Sequence, residues 1–283
     1  MRAFGNILGC LYLMLSVHPL QAKESMNWAV VHWPPFMTLK GQDKGEGSYN
    51  AHLTFIQQNM PKYTHANIGM NWKRTWRLIA KGDERCNVLS LKTAPRELIA
   101  EFSVANSVTL SNHIIMREET FKNLGEPTSI SLAALLKDSK LQGKIEVSRS
   151  YTATLDKIIA QNATTQNIER VAVDAEHLMK MLMVNRFDYF IEYPIAAHYL
   201  RRQHLNLPNA IKSVEITEIA PYTVGYLACP KTAWGKQRIA DYNNVLQALR
   251  PTPKYREIME MWYASEAEKR AVREGFNEVL RLQ

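Results

Sequence analysis

The strongest constraint on this chain is an alternation. Short apolar, β-branched runs take turns with stretches whose apolar residues recur at helical spacing. Trp28 to Trp33 (WAVVHW) reads as a buried strand, ended sharply at Pro34 and Pro35 because proline cannot donate to a central ladder. From Tyr49 to Met60, Leu53, Ile56 and Met60 fall on one helical stripe, and Pro61 stops it. A strand around Ile68–Trp72, a helix over Thr75–Lys81 closed by Gly82, and a strand at Asn87–Leu91 follow. Further strands are expected at His113–Met116, Lys144–Val147, Val171–Val173, Tyr189–Ile191 and Tyr222–Ala228. The helices between them are expected at Ser131–Lys137, Ala153–Gln161, Ala175–Val184 and Gly235–Arg250, and Pro253–Ala264 and Glu266–Leu280 read as closing helices. Such alternation implies parallel strands joined by crossover helices, an α/β layered fold. Ligands of open α/β sheets bind beyond the carboxyl ends of the strands. The candidate site loops are therefore Trp33–Phe36, Ser90–Arg96, Ser148–Thr152 and Glu192–Pro194, which have to converge on one cleft.

The amino terminus carries a different signal. Arg2 precedes an uncharged, mostly apolar run from Ile7 to Val17, and His18–Ala22 is polar and ends in a small residue. This order is that of a secretory signal peptide cleaved near Ala22, although Leu20 stands where a small residue is usual. An uncleaved anchor or a buried helix is the other reading. The apolar run is about half the ~20 residues that a membrane span needs. The chain is thus expected in the periplasm or outside the cell. Its formal charge is +8, and Arg2 is the only charged side chain in residues 1–22, so the remainder carries +7. A basic surface favours anionic partners. Nucleic acid is not among those expected, because the Lys and Arg residues are scattered rather than gathered in a stripe. Of three cysteines, Cys10 leaves with the signal; Cys86 and Cys229 remain, as a disulfide in an oxidising compartment or as two buried thiols. No Cys/His spacing matches a zinc site, and neither cofactor nor metal is expected.

Residues 86–103 (CNVLSLKTAPRELIAEFS) run from a strand into Lys92-Thr93, then Pro95-Arg96, then Phe102-Ser103. This resembles the strand–Thr–x–x–Arg stretch, ending in Phe-Ser, of the bacterial extracellular solute-binding proteins of family 3, the amino-acid-binding class. Other pieces resemble that family in order: Val31–Thr38 its opening strand and Pro-Phe loop, Gly47–Tyr63 its first helix, and Trp72–Asp83 its second. Asn185–Asp188 with Tyr193-Pro194 is similar to its second-lobe strand and exit, and Thr232–Gly235 to its return to the first lobe. The likeness is greatest to a subgroup with a cysteine near the Thr-x-x-Arg strand and another before the Trp-Gly helix.

The resemblance implies a type II periplasmic binding protein fold: two lobes, each a mostly parallel sheet flanked by helices, joined by two hinge crossovers. Lobe one would hold residues 23–111 and 218–283, with both Cys86 and Cys229, and lobe two residues 112–217. It implies a monomer that captures a small, carboxylate-bearing ligand and delivers it to a membrane transporter. Arg96 matches the arginine that grips the ligand carboxylate, a role suited to the planar fork of a guanidinium. Ser90, Lys92 and Thr93 would add donors and charge. Trp33 and Phe36 stand where the family stacks an aromatic on its ligand, though packing within the core explains them as well. Ser150, Tyr151 and Thr152 precede a helix whose free N–H groups suit an anion, or are a plain cap. The chief departure is Tyr193, with Glu192 beside it, where amino-acid binders carry the Asp that holds the α-amino group. Either Glu192 substitutes or no ammonium is bound. Two rival readings stay open: a sensory or partner-docking module, and a periplasmic dehydratase-like enzyme on the same fold with Glu192 as its acid or base.

Overall fold

In the first strand, β1 (Glu24–Val30), Met26, Trp28 and Val30 are buried at every second position, as one face of a strand requires. A computed structural model describes residues 23–138, 140–147, 149–162, 167–204, 210–263 and 265–281. The expected signal segment and Ser148 lie outside the described residues. β1 pairs in parallel with β2 (Tyr63–Gly69) along its whole length, Glu24 opposite Tyr63 and Val30 opposite Gly69. Between them α1 (Ser48–Gln58) turns Leu53 and Ile56 into the core. Helix α2 (Trp72–Ala80) starts on Asn71, whose side chain accepts the Arg74 N–H at 2.8 Å. Then come β3 (Asn87–Ser90), buried at every position, the single turn α3 (Ala94–Glu97), β4 (Ala100–Phe102) and β5 (Ser107–Leu110).

The chain next builds a six-stranded sheet. Its elements are β6 (His113–Arg117), α4 (Glu118–Asn123), β7 (Ser129–Ile130), α5 (Leu132–Leu135), β8 (Gly143–Glu146) and α6 (Ala153–Asn162), continuing through β9 (Ile168–Val171), α7 (Ala175–Met183), β10 (Tyr189–Glu192), α8 (Pro194–Gln203) and β11 (Ile211–Ile216). The strand order is β7-β11-β6-β10-β8-β9. Its central strands are apolar without interruption because helices cover both faces. Ile114, Met116, Tyr189 and Ile191 pack on one side with Leu155 and Ile159 of α6. Ile115 and Phe190, one residue out of phase, face Leu178 and Met179 of α7 and Leu200 of α8 on the other.

The last part returns to the first strands. β12 (Tyr222–Pro230) runs antiparallel to β3, β4 and β5, and α9 (Ala233–Leu249), α10 (Pro253–Glu260) and α11 (Glu266–Arg281) close the molecule. Cys86 and Cys229 are joined by a disulfide, with Cα atoms 4.2 Å apart, tying the start of β3 to the end of β12. Gly235 lets α9 begin close against β12, since a Cβ there would stand 1.9 Å from the Pro230 carbonyl oxygen. The chain passes between the two sheet assemblies twice, at 111–112 and at 217–221, and the Ser111 N–H donates to the Pro221 carbonyl at 3.0 Å. Elsewhere Asp43, in the loop before α1, accepts from Tyr199 Oη at 2.7 Å and Gln203 Nε2 at 3.0 Å, both on α8.

Several elements differ from the sequence expectation. β1 stops at Val30, and Trp33 instead closes a turn with Met37. β2 starts at Tyr63 and ends at Gly69, overlapping the expected Ile68–Trp72 strand only at its first two residues, because Trp72 already begins α2. The expected helix over Ser131–Lys137 shrinks to α5. The sheets are mixed rather than mostly parallel around β12, since a strand entering from the second assembly meets β3, β4 and β5 head-on. β6 likewise runs antiparallel to β10 and β11, while β8 pairs in parallel with β10 and β9.

Candidate functional site

Between the two assemblies is a cleft whose empty space, open mouth included, is about 820 Å3. The loop after β1 supplies Trp33 and Phe36, and the stretch from β3 into α3 supplies Ser90, Leu91 and Arg96. The turn before α6 supplies Arg149 and Ser150, and the exit of β10 supplies Tyr193 and Ile195. These are the four strand-end loops singled out in the sequence, and they do converge. The walls carry rings and hydroxyls. Trp33 lies 4.7 Å from Phe36, 5.4 Å from Tyr193 and edge-on to Trp72 at 5.8 Å, between ring centroids. Tyr49 hydrogen-bonds Ser107, and Thr109 pairs with Tyr263 at 2.6 Å. Gly225 of β12 keeps that floor open: a Cβ would meet Ser107 Oγ at 2.2 Å and Tyr49 Oη at 2.8 Å.

Arg96 is held by two contacts. Its guanidinium lies 4.1 Å from the centre of the Trp76 ring, and Nη1 donates to the Leu91 carbonyl at 3.1 Å. Glu97, its neighbour, pairs with Lys92 at 3.2 Å instead. Among the described residues Arg96 has no ion-pair partner. Burial lowers its pKa to about 10, opposed by Asp156, so it stays charged at neutral pH. A half-buried cation with no ion-pair partner among the described residues, beside hydroxyl and aromatic walls, can take up a small anion.

Arg149 has a different setting. Its Nη1 and Nη2 each lie 2.6 Å from an oxygen of Glu192, a two-pronged bridge, and Glu146 stands 3.9 Å away. The Arg149 side chain is 6% exposed and that of Glu192 0%. The guanidinium is also boxed by Trp33, Tyr151 and Tyr193, at 4.9, 4.8 and 5.9 Å from the ring centres. Burial works to lower its pKa, and the Glu192 carboxylate more than offsets this, leaving it raised. Burial pushes Glu146 up to about 7, against the pull of Arg149.

The remaining expected residues scatter. Glu192 sits behind the cleft wall: both its oxygens are taken by Arg149, and one also accepts the Tyr193 N–H at 2.7 Å. Tyr151 is buried, its hydroxyl accepting the Glu146 N–H at 2.8 Å. Ser90 lines the cleft but spends its hydroxyl on Asn87. Lys92, Thr93 and Thr152 border a separate hollow with Tyr222 and Tyr226. The turn before α6 is already satisfied, because Asp156 accepts from Ser150 Oγ at 2.5 Å and from the Tyr151 N–H at 3.0 Å, and Thr152 caps Leu155. The chain's own carboxylate thus fills the place where an anion was expected. Sequence reading passes over Arg149, which stands inside the quoted turn, and leaves Trp72 out of the candidate site; nothing local marks either as a cleft residue. Among the described residues no three His, Cys, Asp or Glu side chains gather as a metal-ligand set would.

No protein-family model matches this chain, and no curated protein matches its sequence. Solved structures do match. One is a histidine kinase sensor domain with similarity to periplasmic binding proteins: TM-score 0.68, 15% identity, covering 86% of this chain and 96% of that one. Another comes from a study of glutathione import through GshT and the cystine ABC importer of Streptococcus mutans: TM-score 0.66, 14% identity, 85% and 94% covered. A third is an ancestral arginine-binding protein bound to arginine: TM-score 0.65, 14% identity, 86% and 99% covered. These likenesses establish the fold, a two-lobed α/β architecture of the type II periplasmic binding protein kind. Among the described residues no helix is long and apolar enough to cross a membrane.

Proposed function

We propose that this protein is an exported, monomeric solute-binding protein that closes its two lobes on a small carboxylate-bearing ligand and presents it to a membrane transporter. Lobe one is taken as residues 23–111 and 218–283 and lobe two as 112–217, with the paired crossovers as hinges. Ligand contacts on both lobes then shift an open–closed equilibrium by their differential affinity. The observation that carries this reading is Arg96, a guanidinium facing the interlobe cleft with no carboxylate of the described residues at ion-pair distance. Similar solved structures come from amino-acid binding and import systems, which supports uptake. A second reading, a sensory module that reports its ligand to a membrane partner, is supported by the likeness to a kinase sensor domain. Both share the cleft.

The test is thermal unfolding of the purified protein against amino acids, small carboxylates, sugars and phosphonates. A ligand at ~100 times its dissociation constant adds about 2.7 kcal/mol. We expect a carboxylate to raise the midpoint and Arg96→Ala to abolish the shift. A shift indifferent to Arg96→Ala would remove the assignment of Arg96 while keeping the binding role.

A further inference from the structure

We infer that the ligand is a carboxylate with a partly apolar body and no ammonium group, because the cleft lining has a cation to receive one charge and no acid to receive the other. This inference rests on the solute-binding reading above and narrows it to a ligand class.

Three observations point the same way. First, the cleft lining includes Arg96 and Arg149 but no Asp or Glu among the described residues. Second, the acids nearest the cleft face groups of the chain itself, and Glu146 stands 3.9 Å from Arg149 with burial pushing its pKa up to about 7. Glu192 is held by both prongs of Arg149 and by the Tyr193 N–H, and Asp156 by Ser150 Oγ and the Tyr151 N–H. Third, the aromatic box of Trp33, Tyr151 and Tyr193 is filled by the guanidinium of Arg149. Aromatic faces of this kind attract a cation. Here the chain provides its own, so a ligand ammonium would meet a second positive charge where it needs a negative one. Phe36, Trp72, Leu89, Ile195 and Met259 give the wall an apolar part that suits a hydrocarbon body, beside the hydroxyls of Tyr49, Ser107 and Thr223.

The experiment compares ligands in matched pairs that differ only in the α-ammonium: L-phenylalanine against 3-phenylpropanoate, and L-leucine against 4-methylpentanoate. Calorimetric titration into the purified protein, with Arg96→Met as the control for binding in the cleft, reads the affinity ratio within each pair. The expected result is at least tenfold tighter binding of the ammonium-free member, lost in Arg96→Met. Equal or tighter binding of the amino acid overturns the inference and leaves the solute-binding reading standing. Silence from both members of both pairs, with a hit on a sugar or other neutral solute in the wider panel, also overturns it. Silence throughout removes the solute-binding reading and the inference together. A second variant, Arg149→Met, vacates the aromatic box and frees the Glu192 carboxylate, so it should swing the ratio toward the amino acid. If it does not fold, the paired titrations on the unaltered protein decide the question alone.

Discussion

Two arginines face the same cleft and differ in what is left for them to do. Arg96 keeps its charge uncompensated and reaches the cleft over the face of Trp76. Arg149 is spent on Glu192 before any ligand arrives. Removing one member of a buried pair strands the other, at a cost of about 3–5 kcal/mol, far more than a solvated bridge is worth. Glu192→Gln should therefore lower the denaturation midpoint sharply in the absence of ligand, whereas Arg96→Ala should barely move it; urea unfolding of the two variants separates the roles. His52 offers a pH signature. It is fully buried, with Nε2 on Tyr242 Oη at 2.9 Å and no partner for Nδ1 among the described residues, and burial depresses its pKa to about 3. The unfolded chain takes up a proton near pH 6.5, and the folded one does not until about pH 3. Stability from this group is complete above pH 6.5 and is lost as pH falls toward 3. His52→Gln should flatten the acid side of the pH–stability curve, measured by urea midpoint; an unchanged slope would assign the acid loss to other groups. Of these two arginines the sequence reading proposes Arg96, because the motif that carries it is local. The Arg149–Glu192 bridge spans 43 residues, and no pattern along the chain announces a pairing made across strand ends.

At the scale of elements, what was legible followed packing demands. β6 and β10 were found because helices on both faces force apolar runs in their centres, and α7 and α9 because their stripes repeat at helical spacing. α8 was missed: Tyr193-Pro194 looked like a loop exit, although Pro194 is at the first turn, where proline suits a helix. β11 (IKSVEI) was missed because only Val214 and Ile216 are fully buried, too short an alternation to stand out. β5 pairs with β12 from more than 100 residues away, information that only the folded sheet holds. The disulfide acts at this scale. It closes 143 residues of chain, and in the chain-entropy view such a crosslink contributes about 5 kcal/mol by restricting the unfolded state. Unfolding in guanidinium with and without reductant should show a large drop in midpoint on reduction, and Cys86→Ala/Cys229→Ala should reproduce it.

For the molecule as a whole, the two lobes touch beyond the cleft through a loop that reaches across. Asp43 takes hydrogen bonds from Tyr199 and Gln203 of α8, while the Trp262 indole N–H donates to the Glu46 carbonyl at 3.0 Å in the same loop. Contacts made in the closed arrangement bias the open–closed equilibrium and hence apparent affinity. Asp43→Ala should weaken ligand binding about two- to tenfold, equivalent to about 0.5–1.5 kcal/mol. It should also enlarge the radius of gyration of the ligand-free protein in small-angle scattering, while the cleft residues stay untouched. The paired crossovers carry a different consequence. The chain departs the first sheet assembly at Ser111 and re-enters it beside the same point, Ser111 N–H on the Pro221 carbonyl. Topologically the six-stranded sheet is a cassette spliced into a host. A host shortened by a brief linker from 111 to 221 would keep its own disulfide, its own strands β1 to β5 and β12, and Arg96, but it would lose the sheet on the far side of the cleft.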